Sequence, residues 1–201
     1  MLMNPIEYWA MNNPLRSFCQ RHYEAPRLKR LSKGRPDRVL EIGCGQGEGA
    51  RIIYDLFGPQ SYVGIDLDPR MIRRARRRAG ALPNATFVEG DVSNLEFPDG
   101  SFDLVMDFGI VHHVPNWRDA LAEVHRTLMA GGEFLFEDLS LETWERGIGV
   151  PFKRIADHPY DQMFRQDEFV NELESLGFEV ETHESSPLSF YHFWGRAEKL
   201  A

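Results

Sequence analysis

Short apolar runs alternate with amphipathic helical patterns through the first two thirds of the chain, and this alternation limits the possible folds more than any other feature. The runs that predict strands lie at residues 38–42, 61–66, 85–89, 102–107 and 134–137. Apolar residues at helical spacing predict helices at residues 49–57 and 69–79 and over "WRDALAEVHRTLMAGG". Such alternation indicates a parallel sheet with helices on both faces, that is, a doubly wound α/β fold.

The last third of the chain predicts a different connection. "RQDEFVNELESLGFEVE" reads as a helix that starts at Asp167 and ends at Gly177, followed by a strand at residues 178–182. "PLSFYHFWGRA" predicts the last strand. The link "HESSP" is too short for a helical crossover, so we expect the last two strands to be antiparallel.

The first predicted strand runs directly into a glycine loop, "RVLEIGCGQGEGA". A dinucleotide fingerprint would place its third glycine at position 48, where this chain has Glu48, and Glu41 lies just before the loop. Carboxylates there would repel a pyrophosphate but suit a ligand that carries positive charge. No Gly-Lys-Ser/Thr follows, which excludes a P-loop.

Two further carboxylates follow the next two predicted strands. Asp66, in "GIDLD", can accept hydrogen bonds from both hydroxyls of a ribose. Asp91, in "VEGDVSNL", could accept the exocyclic amine of adenine, although a turn aspartate is about as common at such a position. Together with the glycine loop they outline a site for an adenosine without phosphates and with a cationic tail, which is S-adenosylmethionine.

Four segments carry a family resemblance: "VLEIGCGQGEG", "YVGIDLDPRMI", "FVEGDVSNLEFPDGSFDLVMDFGIVHHV" and "EVHRTLMAGGEFLFEDL". In order and spacing they resemble the motifs of class I S-adenosylmethionine-dependent methyltransferases, and most closely the small-molecule branch around the ubiquinone/menaquinone-type C-methyltransferases. The resemblance is dense over residues 38–139 and looser in the C-terminal hairpin. It implies a seven-stranded, mostly parallel Rossmann-like sheet with an antiparallel last strand, in agreement with the short link.

The resemblance also implies which residues contact the cofactor. The glycine loop would line its methionine end, Asp66 would hold the ribose and Leu67 would pack on the adenine. Asp91 and Val92 would meet the adenine edge, and Asp107 would lie near the methionine portion or the acceptor. The implied cofactor-binding residues are Glu41, Gly43, Cys44, Gly45, Gly47, Asp66, Leu67, Asp91, Val92 and Asp107.

Three residues are candidates for a general base. His112 and His113 follow the fourth predicted strand, and Glu137 ends the fifth. A base is needed only when the acceptor atom loses a proton. The histidines have a loop-shaping role as the alternative, and Glu137 has a strand-end role as the alternative. The remaining histidines form no metal-binding spacing, so we expect no metal.

We expect a single domain over residues 1–201. It would consist of an N-terminal helical lid (1–33), a cofactor-binding core (38–139), an insertion (140–165) and a C-terminal helix and hairpin (166–201). The acceptor pocket should come from the parts outside the core. Aromatic residues are frequent there and could surround an apolar or flat small-molecule acceptor; they include Tyr8, Trp9, Phe18, Tyr23, Trp144, Phe152, Tyr160, Phe164, Tyr191 and Trp194.

Composition limits the cellular setting and the partners. No apolar run is long enough to span a bilayer, no secretory signal is visible, and Cys19 and Cys44 read as free thiols, so we expect a cytoplasmic protein. The formal net charge of −8 weighs against nucleic acid as a partner. The cluster "RRARRRAG" reads as the solvated face of a helix, and a nucleic-acid patch is the less favoured reading. The oligomeric state is open.

The sequence therefore predicts a methyltransferase that transfers a methyl group from S-adenosylmethionine to a small, apolar or aromatic acceptor by in-line displacement. A nicotinamide-dependent reductase is disfavoured by Glu48 and by the lack of a Tyr-x-x-x-Lys pair. A protein that binds S-adenosylmethionine or S-adenosylhomocysteine without catalysis would have the same donor site and remains the alternative.

Overall fold

The computed structural model describes residues 13–145, 149–153, 159–185 and 191–200, which form helices packed on both faces of one sheet. The helices of this part of the chain are α1 (Pro14–Cys19), α2 (Ala25–Leu31), α3 (Glu48–Phe57), α4 (Pro69–Ala79), α5 (Trp117–Thr127), α6 (Leu141–Glu145), α7 (Gly149–Phe152) and α8 (Gln166–Ser175). The strands are β1 (Arg38–Ile42), β2 (Ser61–Asp66), β3 (Ala85–Glu89), β4 (Phe102–Phe108), β5 (Leu128–Asp138), β6 (Phe178–Ser185) and β7 (His192–Lys199).

The order of the seven described strands is β3-β2-β1-β4-β5-β7-β6. Strands β1 to β5 pair in parallel, whereas β7 is antiparallel to both of its neighbours. The predicted α/β class, the doubly wound sheet and the antiparallel last strand are all confirmed. The strand order reverses between β1 and β4, and in such a sheet this is where ligands bind.

The sheet separates two apolar layers. In β5, Phe134 and Phe136 point into the layer that contains α5 and α8, and Leu135 points into the layer formed by α2, α3 and α4. This alternation is the two-residue period of a strand buried on both faces. The core therefore fixes β1, β2 and β4, whose carboxyl ends carry the glycine loop, Asp66 and Asp107.

The predicted helix over residues 117–132 is confirmed as far as residue 127 and wrong for the last five positions. The helix ends at Thr127, whose hydroxyl donates to the carbonyl oxygen of Glu123 at 2.8 Å, and Leu128 already belongs to β5. Leu128 follows Leu121 and Val124 at spacings of three and four residues, which is the pattern of an apolar helical face, so the sequence alone predicts helix there. In the structure it is buried and pairs instead with Phe102 of β4.

A nearly continuous helical segment precedes the sheet. Between α1 and α2, residues Gln20–Glu24 form a π-helical turn, in which Gln20 and Glu24 are buried. Of the predicted lid, residues 1–12 lie outside the described part of the chain, and so do Tyr8 and Trp9. The predicted insertion is described only in part, as α6, α7 and a 3₁₀ turn at Tyr160–Gln162.

Candidate active site

A cavity opens at the carboxyl ends of β1, β2 and β4, and most of the predicted cofactor-binding residues line it. Those that line the cavity are Glu41, Gly43, Cys44, Gly45, Asp66, Leu67, Asp91 and Val92. Gly47 and Asp107 lie next to the lining without being part of it. The structure thus brings together residues from three strand ends that are up to fifty positions apart in the sequence.

Three glycines of the loop, Gly43, Gly45 and Gly47, have positive φ, and the last two differ in what surrounds them. Gly45 has φ +51°, and a Cβ atom built there would meet no atom within 4 Å, so this side of the loop faces open space. Gly47 has φ +84°, and a Cβ there would lie 3.0 Å from the Cα of Ala75 in α4. One glycine therefore leaves room for a ligand, and the other allows α4 to pack closely against the start of α3.

Asp66 holds this loop from the end of β2. Its Oδ2 accepts the Gly45 N–H at 2.9 Å, and its Oδ1 accepts the Asp68 N–H at 2.8 Å. Burial raises the pKa of Asp66, although these backbone hydrogen bonds oppose the rise. Each carboxylate oxygen has a second lone pair, so the group can still accept a hydrogen bond from a ligand hydroxyl.

Glu41 forms the inner wall of the cavity. The carboxylate is buried, accepts a hydrogen bond from the Tyr62 hydroxyl, and would collide with a Cβ at Gly49, the second residue of α3. Burial raises its pKa to about 8, because the charged form has lost its solvation. A cationic group placed beside Glu41 would favour the ionised form.

The other rim of the cavity is apolar, with one carboxylate. Leu67 exposes 45% of its surface and Val92 is buried. Asp91 Oδ1 accepts both the backbone N–H and the hydroxyl of Ser93, at 2.9 and 2.7 Å. Asp91 is therefore a turn aspartate and a residue of the cavity lining at the same time.

The charge of the lining is negative. Five carboxyl groups belong to it, namely Glu41, Glu48, Asp66, Asp68 and Asp91. With a pKa of about 8, Glu41 is mainly ionised at neutral pH only when a cation lies beside it. Glu48 and Asp68 pair with arginines outside the lining. The arginine in the lining, Arg16, is already occupied: its Nη1 donates to both carboxylate oxygens of Glu24, at 2.7 and 2.6 Å. This arrangement disfavours phosphates and favours a ligand with hydroxyls and a positive charge.

The two histidines after β4 have different surroundings. His113 lines the cavity. His112 is held by Asp138 at two points: its Nδ1 hydrogen-bonds to Asp138 Oδ1, and its backbone N–H donates to Asp138 Oδ2 at 3.2 Å. The two imidazole rings pack at a centroid distance of 4.1 Å. The buried pair of His112 and Asp138 therefore supports the side chain that faces the cavity.

Asp107 and Glu137 are both buried away from the cavity lining. Asp107 Oδ1 accepts the Ile110 N–H at 2.9 Å, and burial together with the nearby Asp138 carboxylate raises its pKa. Burial also raises the pKa of Glu137, and the Glu24 carboxylate adds to the rise. Asp107 thus stabilises the loop before the histidines. Glu137 lies near Glu24 of the helical residues 14–31, which we call the N-terminal segment.

The sequence predicts a lid at residues 1–33, but it does not show which residues of this segment reach the cavity or that Asp138 anchors His112. Arg16, Ser17 and Gln20 of the N-terminal segment line the cavity, and the Arg16 Nη2 donates to the Phe108 carbonyl oxygen at 3.2 Å. Among the described residues, none of the aromatic side chains predicted to surround the acceptor is part of this lining. Phe164 is in the core and Phe18 is exposed, whereas Tyr8, Trp9 and the Phe152 side chain lie outside the described part. Asp138 does have a signal in the sequence: it is a carboxylate at the carboxyl end of β5, directly after Glu137. Because β5 pairs with β4, that strand end lies close to the loop that carries His112.

Comparison with known families identifies the central part of the chain. Residues 39–132 match the family of methyltransferase domains, a span just under half of the chain. These comparisons support a class I S-adenosylmethionine-dependent methyltransferase domain, and S-adenosylmethionine is the cofactor that they imply.

Two curated relatives are similar over the same region. A phthiotriol/phenolphthiotriol dimycocerosates methyltransferase of Mycobacterium tuberculosis is 38% identical over 124 residues, which cover 59% of this chain and 46% of the relative. A fatty-acid O-methyltransferase of Mycolicibacterium smegmatis is 40% identical over 115 residues, covering 55% of this chain and 42% of the relative. The chain thus spans about half the length of the curated relatives it matches.

Solved structures agree in fold. An S-adenosylmethionine-dependent methyltransferase of Mesorhizobium loti superimposes with a TM-score of 0.70 at 21% identity, over 87% of this chain and 96% of that one. The [4+2]-cyclase SpnF superimposes with a TM-score of 0.71 at 15% identity, over 89% and 81% of the two chains. Because a protein named as a cyclase has this fold, the fold alone does not decide the activity.

Proposed function

We propose that this chain transfers the methyl group of S-adenosylmethionine to an oxygen atom of a lipid-like acceptor. The observation that carries the proposal is the cavity in which a glycine loop, Asp66 and Glu41 meet at the strand-order reversal. The relatives named above support a lipid-like acceptor, since their names refer to dimycocerosates and to a fatty acid. This acceptor replaces the broader class of small apolar or aromatic molecules that the sequence predicts.

The cavity fits the cofactor in three respects. Open space lies beside Gly45, where a Cβ atom would meet nothing. The carboxylate of Asp66 retains lone pairs for ribose hydroxyls, and Leu67 exposes an apolar surface next to it. The negative lining suits a molecule whose far end carries a sulfonium and an ammonium group.

Each part of the cofactor then has residues to hold it. Asp66 would bind the ribose, while Leu67, Asp91 and Val92 would contact the adenine. Glu41 and the loop from Gly43 to Gly45 would line the methionine end. Bound there, the cofactor supplies an activated methyl group, and the chain contributes by holding the acceptor oxygen in line with it.

His113 is the proposed proton acceptor. A hydroxyl acceptor forms its new O–C bond as the S–C bond breaks, and its proton must leave. Of the three predicted catalytic residues, His113 lines the cavity, and we assign the proton to its imidazole. We assign His112, through its hydrogen bond to Asp138, the role of positioning His113 by ring packing.

Glu137 is better placed to organise the cover of the cavity than to touch the acceptor. Three of the charged groups that act on it, Glu24, Arg16 and Arg27, belong to the N-terminal segment, and Asp107 of β4 also contributes. We therefore propose that Glu137 positions Arg16 above the Phe108 carbonyl. The same contacts support a lid role for residues 13–33, the described part of the predicted lid at residues 1–33. The division of the rest into a core (38–139), an insertion (140–165) and a C-terminal helix and hairpin (166–201) stays a prediction.

Turnover tests this proposal against binding without catalysis. The purified chain is incubated with S-adenosylmethionine and, in separate reactions, long-chain fatty acids and long-chain alcohols, and S-adenosylhomocysteine is quantified. We expect accumulation with at least one of these acceptors, and much slower accumulation with Asp66→Ala when S-adenosylmethionine is below saturation. If S-adenosylhomocysteine binds but never accumulates above the rate without acceptor, the chain is a binding protein and the proposal fails.

A further inference from the structure

Helix α4 concentrates positive charge in a chain whose formal net charge is −8. Six of its eleven residues are arginines, and its buried stripe consists of Met71, Ile72, Ala75 and Ala79, so the arginines occupy the remaining faces. Arg73 and Arg77 are exposed, and neither has a hydrogen-bond or ion-pair partner among the described residues. Arg70 and Arg78 pair with Asp68 and Glu48. The exposed charges of this helix that can attract an anionic surface therefore include Arg73 and Arg77.

This arginine face adjoins the cavity. Arg74, Arg77 and Arg78 line a surface groove together with Gln46 of the glycine loop, and Gln46 also lines the cavity. Glu48 connects the groove with the N-terminal segment, because its carboxylate lies 3.5 Å from Arg78 and 3.2 Å from Arg21. The arginine face, the cavity and the N-terminal segment are therefore neighbours.

The N-terminal segment contributes apolar surface. Its inner residues Arg16, Ser17 and Gln20 line the cavity. On the opposite side, Leu15 and Phe18 are three positions apart on one helical face and are 70% and 60% exposed. Two large apolar side chains exposed beside a cationic face are typical of a surface that inserts into the interface of a lipid layer.

We propose that the arginine face of α4 and the apolar face of α1 together dock on an anionic lipid bilayer. The inference rests on the proposed function for one point, the lipid-like acceptor, which such a bilayer would present at the cavity. Arginines attract anionic head groups, and Leu15 and Phe18 bury apolar surface among the acyl chains. A nucleic acid would use the arginines but would leave the apolar residues exposed.

Binding to vesicles tests the surface directly. The full chain is sedimented with vesicles of phosphatidylcholine alone or with a minor share of phosphatidylglycerol. We expect binding only to the anionic vesicles and its loss at high salt. Arg73→Gln/Arg77→Gln should weaken the partition about thirtyfold, because each arginine near such a surface contributes roughly a factor of five. Leu15→Ser/Phe18→Ser should also reduce it at unchanged charge.

The control variant removes two positive charges at sites away from the arginine face of α4. Arg30→Gln/Arg118→Gln replaces two exposed arginines outside both the groove and the cavity lining and should bind vesicles as the wild type does. S-adenosylhomocysteine should raise the melting temperature of all these variants equally, which separates the surface from the donor site. The inference is overturned by equal loss in the control, by equal binding to neutral vesicles, or by binding to a DNA duplex but not to vesicles.

Discussion

The carboxylate of Asp66 accepts the backbone N–H of Gly45 at 2.9 Å, so the end of β2 fixes the loop that follows β1. The same side chain lines the cavity in which we place the ribose of the cofactor. One residue thus has a structural role in the loop and a proposed binding role toward the ligand. Substitutions that retain or remove its oxygen atoms can separate the two.

We expect Asp66→Ala to lower the affinity for S-adenosylhomocysteine by about tenfold to a hundredfold, since hydrogen bonds to a charged group are worth roughly 1.5–3 kcal/mol. Asp66→Asn keeps one acceptor oxygen and should lose less. Calorimetric titration measures both. Asp99→Ala, which removes an exposed carboxylate outside the cavity, serves as the control. Unchanged affinity in Asp66→Ala would remove this residue from the ribose site.

Gly45→Ala should weaken binding of the methyl donor, because the added methyl group takes up space in the cavity. The new Cβ meets no protein atom, but it lies at a residue of the cavity lining, and φ is +51°. Gly131→Ala is the matched control, with φ +75°, no atom within 4 Å and no place in the lining. Both should lose about 1 kcal/mol of unfolding free energy. Only Gly45→Ala should lose affinity; equal affinities would show that the ligand does not approach the loop.

The raised pKa of Glu41 leads us to expect that the free energy of unfolding depends on pH. Its folded pKa is about 8 and its ordinary value 4.5, so between these values the native state retains a proton that the unfolded state releases. The contribution of this group to the free energy of unfolding therefore falls as pH rises through that window, by about 1 kcal/mol per pH unit. Above the window it no longer changes.

Glu41→Gln should remove this contribution, because the amide can still accept from Tyr62 but does not titrate. Chemical denaturation across the window should give a shallower decline for Glu41→Gln than for the wild type. Glu174→Gln, at an exposed position of α8, should keep the wild-type slope. Identical slopes in all three proteins would show that Glu41 is not buried as described.

His113→Ala should slow methyl transfer to acceptors that must lose a proton and leave transfer to deprotonated acceptors largely unchanged. With a hydroxyl acceptor, we expect kcat to fall about a hundredfold or more, since the proton has lost its acceptor. With a carboxylate acceptor, which has no proton to lose at neutral pH, kcat should change little. S-adenosylhomocysteine affinity should stay the same in both cases. An equal loss with both acceptors would mean that His113 shapes the site and does not take a proton.

The elements of the core were predictable because their signals are local. Asp68 accepts the Arg70 N–H at 2.8 Å and Pro69 fills the first helical position, so α4 begins where the sequence indicates. The boundary between α5 and β5 depends instead on the pairing of Leu128 with Phe102, more than twenty residues away. No local pattern contains that information.

The candidate site divides in the same way. Gly45, Asp66 and Asp91 each follow a strand, and parallel strands bring their carboxyl ends to one edge of the sheet, so they could be placed from sequence. Arg16 reaches the cavity through a π-helical turn, and Asp138 meets His112 across neighbouring strand ends. These contacts depend on how separate elements pack, which the sequence pattern does not specify.

The central claim is that the cavity receives an adenosine without phosphates. Isothermal titration of the full chain with S-adenosylhomocysteine and, separately, with NAD tests it most directly. We predict saturable one-site binding of S-adenosylhomocysteine, weakened in Asp66→Ala, and no measurable binding of NAD. Saturable binding of NAD, with none of S-adenosylhomocysteine, would contradict the assignment of the site.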